Sequence, residues 1–287
     1  MNKLSDTYTL RNGVAIPCVG YGTWQTPDGQ TAVEAVRAAI ESGYRHIDGA
    51  VVYANETSVG EGIRQGMASA HLERKDIFVT SKVWTSERGY EKTIRACENS
   101  LRDFGLEYFD LYLIHWPANP ATSGNDWDAV NQESWRAMIQ LYKMGKARAI
   151  GLSNFLPHHI ASLMQMEVQP MVDQIENHPG YVRWDTIRYC EENGILVEAW
   201  SPLGSGAVLK EPTLLALAEK YDRSVAQLCI RWNLQKGLLP LPKSVTPSRI
   251  AENANVFDFC ISQEDMAMID AIKNVGFSGN DPDTFNA

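Results

Sequence analysis

Absences narrow this chain first. Its five cysteines, Cys18, Cys97, Cys190, Cys229 and Cys260, are odd in number, widely spaced and without a CxxC pair, which argues against a disulfide framework and against a zinc cage; no metal ligand set is expected. No run approaches the roughly 20 apolar residues of a membrane helix. The opening MNKLSDTYTL lacks the basic and then apolar stretches of a secretory signal, so a reducing cytoplasm is the expected compartment. GYGTWQ lacks the third glycine of a G-x-G-x-x-G fingerprint, so the usual dinucleotide signature of an open sheet is missing. Linkers, solenoid-length repeats and low-complexity segments are missing too. Basic charge is scarce: 26 Lys and Arg face 35 Asp and Glu, for a formal net charge of −9, which speaks against nucleic-acid or anionic-membrane partners. A small polyanion needs only a local inversion of sign, and PKSVTPSR, with Lys243 and Arg249, provides one.

What is present is an alternation. Short apolar runs, CVGYG, YRHID, IFVTSK, FDLYLIH, ARAIGLS, PMVDQIE, ILVEAW and LLPLPK, take turns with longer amphipathic stretches, the pattern of βα units around a parallel sheet. Eight units predict an α/β fold closed into a (β/α)8 TIM barrel, typically roughly 250 residues long, and 287 residues fit one such domain over 1–287. Helices are expected over TAVEAVRAAIESG, which stops at Gly43, a favoured terminator, and over SVGEGIRQGMASA, EKTIRACENSLRDFG, WDAVNQESWRAMIQLYKMG, EPTLLALAEKYD and SVAQLCIRWNLQKG. Ahead of the first run, TYTLRNGVAIP carries Asn12-Gly13 between alternating residues, a two-residue hairpin signal. That hairpin is expected to close the barrel floor. The tail GFSGNDPDTFNA, rich in Gly, Asp and Pro, is expected to wrap the surface or add a loop to the pocket rim.

In such a barrel the C-terminal ends of the strands share one rim. Asp48, Tyr53, Lys82 and His115 each fall at or just beyond the end of a run. Singly, each has a plainer explanation: a turn aspartate, a rim aromatic, a snorkelling lysine, a satisfied core histidine. Together they read as a proton-donor site. A tyrosine hydroxyl, with an unperturbed pKa of about 10, becomes a useful acid when a cation stabilises its phenolate. Lys82 would be that cation, Asp48 would keep it charged and oriented, and His115 would polarise or position an oxygen. The set suits protonation of an oxyanion formed when a carbonyl is attacked. Trp24, Trp84 and Trp116 follow the first, third and fourth runs and, with Tyr53 and His115, are expected to line an apolar substrate pocket that excludes water.

GYRHIDGAVVYANE, SKVW, LIHWP, GLSNF, DQIENHP, EAWSPLG and LPKSVTPSRIAEN, in that order and through essentially the whole chain, resemble segments of the aldo-keto reductases. The closest subgroup is the short-tailed bacterial type acting on small keto compounds, such as 2,5-diketo-D-gluconate and methylglyoxal reductases. The resemblance implies that Tyr53 is the general acid, supported by Lys82 and Asp48, while His115 orients the substrate carbonyl. It implies NADPH extended across the C-terminal face of the barrel, with hydride passing from its nicotinamide to the carbonyl carbon of an aldehyde or ketone. A monomer is implied, its partner a small carbonyl substrate.

On that reading Ser153, Asn154 and Gln174 bond the carboxamide, which offers both donor and acceptor, and Trp200 stacks on the nicotinamide. Ser201, Leu203, Gly204 and Ser205 bring small residues and backbone to a pyrophosphate. Lys243, Ser244, Val245, Thr246 and Arg249 take a phosphate through charge-assisted contacts, which favours NADPH over NADH. Glu252 and Asn253 lie on the adenine side, and Gly22, Thr23, Trp24 and Asp48 complete the cofactor set. Two positions depart from the family's pattern: Gly49 stands where Thr is usual, loosening Asp48 or making room for substrate, and Trp200 where Tyr or Phe is more frequent. Two rivals stay open, a Schiff-base aldolase using Lys82 and a cofactor-binding barrel without turnover. Diketo sugar acids, methylglyoxal, β-keto esters and aromatic aldehydes all remain candidate substrates.

Overall fold

The computed structural model describes residues 1–286. Two short antiparallel strands, β1 (Thr7–Thr9) and β2 (Ala15–Pro17), come first. Eight parallel strands follow: β3 (Tyr21–Gly22), β4 (His46–Asp48), β5 (Phe78–Val83), β6 (Phe109–Ile114), β7 (Ala147–Ser153), β8 (Val172–Glu176), β9 (Leu196–Trp200) and β10 (Leu239–Pro240). Each coincides with one of the apolar runs, β5 reaching one residue past its run to Val83, and their order in the sheet is their order in the chain. Two backbone hydrogen bonds join the first and last members, Gly20 N to Pro240 O at 3.1 Å and Gly22 N to Pro242 O at 3.0 Å. They close the sheet into the expected barrel, so its central strands have no free edge.

The connections behave as their periodicity predicts. Helices span Gln30–Glu41, Glu56–Ser69, Tyr90–Phe104, Trp127–Lys143, Pro212–Tyr221 and Val225–Gln235. The first stops where Gly43 takes a φ of +98° and Tyr44 N reaches back to Ala39 O, a left-handed terminator. Helices Trp184–Glu192 and Gln263–Asp270, which carry no comparably long apolar periodicity, are among those the sequence does not signal.

One local expectation is corrected. The turn at Asn12-Gly13 is a three-residue loop rather than a two-residue one: Leu10 N donates to Val14 O, Gly13 N donates to Leu10 O, and Gly13 has φ +84°. A type I turn followed by a left-handed glycine is the next commonest hairpin solution. The hairpin does cover the barrel floor. Tyr8 Oη donates to Leu238 O just before β10, and Asn12 Nδ2 donates to Arg148 O at the start of β7.

A period of two places His46 with Asp48, and Thr80 with Lys82, on one face of their strands. That face is the interior, where His46 Nε2 lies 2.9 Å from Thr80 Oγ1. The tail, anticipated at surface or rim, reaches the rim. Ser278 N and Oγ donate to the buried Glu176 carboxylate at 2.9 and 2.7 Å, and Asn119 Nδ2 donates to Pro282 O and Phe285 O. His158 and His159 meet Asp283 at 2.8 and 3.3 Å. Leu156 N donates to His159 Nδ1, so the neutral ring carries its proton on Nε2, the nitrogen that faces Asp283 at 3.3 Å.

Two buried aspartates outside the barrel bore differ sharply. Asp110 accepts from Arg74, Arg148 and Val79 N. Among the described residues Asp173 has only Phe155 N at 3.4 Å and Cys190 Sγ at 3.9 Å, and burial pushes its carboxyl up to about 8. An acid that holds its proton more tightly when folded leaves stability intact below the unfolded value, about 3.9 for aspartate. Stability then declines as pH rises toward about 8. Asp173→Asn should therefore gain on the wild type by about 1–3 kcal/mol more at pH 8 than at pH 5. Urea unfolding at the two pH values tests this, and a pH-independent difference would show that Asp173 does not titrate in this way.

Candidate active site

The four rim residues converge. Lys82, wholly buried on β5, donates from Nζ to Asp48 Oδ1 at 2.7 Å and to Gly49 O at 2.9 Å. Tyr53 Oη lies 3.4 Å from the same Nζ. Tyr53 sits on a short turn, Val51–Tyr53, directly after β4, anchored next door by Asn55, whose Nδ2 donates to Thr23 O and Thr26 O. His115 follows β6 and meets Tyr53 edge-on, ring centres 5.8 Å apart. Among the described residues no hydrogen bond reaches either of its ring nitrogens, and Nδ1 is buried.

Charge states follow from this packing. Burial alone would lower the Lys82 ammonium, but Asp48 and Tyr53 outweigh it and the net shift is upward. Burial raises the Tyr53 phenol, Lys82 opposes it, and the balance stays above the ordinary value. The hydroxyl is thus a stocked proton at neutral pH. Burial, reinforced by Lys82, holds the His115 imidazole well below its usual range, so the ring is neutral.

The cofactor candidates from the second half reach the same rim by a chain of hydrogen bonds. Trp200 Nε1 donates to Asn154 Oδ1 at 2.8 Å, and Asn154 Nδ2 donates to His115 O at 2.9 Å and Ser153 Oγ at 3.0 Å. Ser153 Oγ donates to Gln174 O at 2.8 Å. Gln174 Nε2 donates to Asp48 Oδ2 at 2.9 Å and to Glu198 Oε2 at 2.7 Å. Gln174 Oε1 has no hydrogen-bond partner among the described residues, and neither has the buried Glu198 Oε1.

Thr23 is spent otherwise than expected: it is fully buried, its N and Oγ1 both donating to Asp48 O. It holds the strand end that carries Asp48. Gly22 packs against Leu241 O, where a β-carbon would come within 3.4 Å, and Trp24 is exposed. Ser201 and Ser205 face each other at 3.2 Å in a loop where Ser201, Gly204 and Ser205 all have positive φ, Leu203 lying between them. Such a run directs backbone and small side chains outward.

The β10 group forms a separate cluster, out of direct contact with the quartet. Lys243 Nζ donates to Gln25 O at 3.1 Å, and Tyr21 Oη donates to Ser244 O at 2.6 Å. Val245, Thr246, Arg249 and Glu252 are exposed, while Asn253 is buried. The Arg249 guanidinium has neither ion pair nor hydrogen bond among the described residues. A free cation at the start of helix Pro247–Ala254 suits a phosphate.

Trp84 and Trp116 do flank the quartet, Trp84 edge-on to His115 at 5.1 Å. Between solvent and Trp116 lies Phe285, stacked at 3.9 Å and 14°. Sequence reasoning missed Phe285, whose place depends on the tail's path, and it missed Glu198, which sits inside an apolar run. A concavity of about 600 Å3 lined by Trp184, Ile187, Lys236 and Asp270 shares no residue with this site.

Gly49 is explained by packing. A β-carbon there would stand 2.9 Å from Cζ of the buried Phe104, so the space a side chain would need is filled by core rather than left for substrate. Gly49→Thr should cost about 1–3 kcal/mol, as overpacking does, and adding Phe104→Leu should restore part of it. Chemical denaturation of the single and double variants tests the pairing; a Gly49→Thr chain as stable as wild type would refute it.

Comparison with known proteins agrees with the geometry. The model of the Aldo/keto reductase family matches residues 18–274. The glyoxal reductase of Bacillus subtilis is 46% identical over 282 residues, covering 98% of this chain and 98% of that protein. Among solved structures, an aldo-keto reductase from a Medee basin deep-sea metagenome library superposes with a TM-score of 0.89 at 37% identity, over 98% of this chain and 100% of that one. A Bombyx mori aldo-keto reductase in complex with NADP gives 0.85 at 36% identity, over 94% and 93%.

Proposed function

Because the chain belongs to the aldo/keto reductase family and is an oxidoreductase of that kind, we propose that it reduces small aldehydes and ketones to alcohols with NADPH, Tyr53 acting as general acid. The observation that carries this reading is the Tyr53 hydroxyl 3.4 Å from an ammonium that is itself buried on Asp48. When bound, NADPH supplies a hydride to the carbonyl carbon, leaving an alkoxide oxygen. Tyr53 gives its O–H proton to that oxygen, and the phenolate left behind faces Lys82. Asp48 keeps Lys82 charged and aimed. Neutral His115 positions the carbonyl oxygen through a ring N–H rather than competing as the acid. Trp84, Trp116 and Phe285 form an apolar wall that strengthens these interactions by excluding water.

The residues present suit the cofactor. Gln174 Oε1 is an unspent acceptor for a carboxamide N–H, Trp200 offers a half-exposed indole, the Ser201–Ser205 loop offers close backbone, and Arg249 with Lys243 offers cations for a 2′-phosphate. The similarity to a glyoxal reductase makes 2-oxoaldehydes the first substrate class to assay. A Schiff-base reading is disfavoured by Lys82 itself, because an imine needs a free amine and this one is held protonated.

Tyr53→Phe should bind NADPH nearly as the wild type does while losing at least about a hundredfold in reduction, the scale of a lost general acid. Fluorescence titration and NADPH oxidation with methylglyoxal measure the two, and retained turnover would end the Tyr53 assignment. Arg249→Ala should weaken NADPH by roughly tenfold, the loss of a charge-assisted contact, and leave NADH little changed. Equal losses would remove the 2′-phosphate from Arg249.

A further inference from the structure

Glu198 has no part in the mechanism above, yet it is wholly buried on β9 and touches the site through one atom. Its Oε2 accepts from Gln174 Nε2 at 2.7 Å, while Asp48 Oδ2 accepts from the same nitrogen at 2.9 Å. Both acceptors are carboxyl oxygens, so both amide hydrogens of Gln174 are committed downward, into the barrel. The amide can face only one way. Its oxygen is left on the side away from both carboxyls, where no side chain among the described residues satisfies it.

We propose that Glu198 is a positioning residue that, with Asp48, fixes the amide orientation of Gln174 so that Oε1 is presented as an acceptor selective for a primary-amide N–H of the nicotinamide ring substituent. This rests on the cofactor reading given above. An amide with one free hydrogen could rotate and offer that hydrogen instead, and the pocket would then fit a substituent carrying only an acceptor. Asp48 alone accounts for one hydrogen; the second needs Glu198.

Glu198's own state is compatible with this role. Burial, then the nearby Asp48 charge, pushes its carboxyl up to about 8, with the Gln174 contact opposing. A protonated acid still accepts at Oε2 and carries its hydrogen on Oε1, on the His46 side, where Nε2 is 3.9 Å away. Burial also keeps His46 neutral, lowered to about 3, so no second cation forms beneath Lys82. Glutamine is then the faithful mimic of residue 198, and leucine the variant that removes only the acceptor.

The test compares two reduced cofactors in their affinity, read from quenching of tryptophan fluorescence without any turnover. One is NADPH; the other is its 3-acetylpyridine analogue, in which a methyl group replaces the amide NH2. Wild type should prefer NADPH by about three- to tenfold, the scale of one hydrogen bond. Glu198→Gln should keep that preference within about twofold, and Glu198→Leu should abolish most of it. An unchanged preference in a folded Glu198→Leu variant overturns the inference. If leucine prevents folding, the wild-type measurement decides: equal affinity for the two dinucleotides means that Oε1 receives no amide hydrogen, and the inference fails. A wild type that binds the analogue and NADPH with unequal but measurable affinity leaves the cofactor reading standing whatever the variants do; a wild type that binds neither overturns that reading and this inference together.

Discussion

A lysine ammonium with no exposed surface is the constraint around which this molecule is arranged. Moving an unpaired charge of that size out of water costs several kcal/mol even after relaxation, so Lys82 is tolerable only with its acceptors in place. Asp48 Oδ1, Gly49 O and Tyr53 Oη supply them within 3.4 Å. Each acceptor then needs support of its own. Thr23 ties the Asp48 carbonyl to β3, and Gln174 ties its carboxylate to β8. Gly49 needs the closeness of Phe104. One buried cation thereby constrains features on five separate stretches of chain.

Closure of the barrel makes this possible. Residues 126 positions apart, Asp48 and Gln174, are hydrogen-bonded across the interior because strands β4 and β8 face each other over a bore narrow enough for side chains to meet. The Trp200–Asn154–His115 chain does the same around the rim. Phenylalanine at 200 would leave Asn154 Oδ1 without that indole donor, and tyrosine would need its hydroxyl to reach the same oxygen. The unusual tryptophan therefore locks a neighbour as well as offering a ring face.

Much of the fold was legible because buried parallel strands are continuous apolar runs, and every such run holds an observed strand. The quartet was legible because polar residues at the ends of those runs stand out. Glu198 did not stand out, since a strand buried on both faces gives no alternation by which to tell inward from outward. Gly49 read as an empty space because its filler, Phe104, lies 55 residues away on a helix. Phe285 could not be placed because the tail's course depends on Asn119, Glu176, His158 and His159, none of which signals a partner in sequence. The hairpin's third loop residue was hidden because Asn-Gly suits both a two-residue turn and the left-handed end of a three-residue one.

The site's charges divide by depth, and the division follows from dielectric rather than from sequence. Deep in the bore the groups come close to neutrality: Lys82 against Asp48, with His46 neutral and Glu198 favouring its protonated form. A further net charge there would act at short range through a poor screen and would shift the proton on Tyr53. At the mouth the opposite holds. Lys243 and Arg249 stand near water, where an unpaired cation costs little and can wait for an anion. A chain with net charge −9 repels polyanions at long range, so these two must act within about 8–10 Å, the screening length at physiological salt. On the proposed reading they would select a phosphate already seated and would not draw one in from afar. On the proposed cofactor reading, recognition of a dinucleotide would depend on contacts along its whole length, the buried amide of Gln174 counting toward specificity as well as the exposed guanidinium of Arg249.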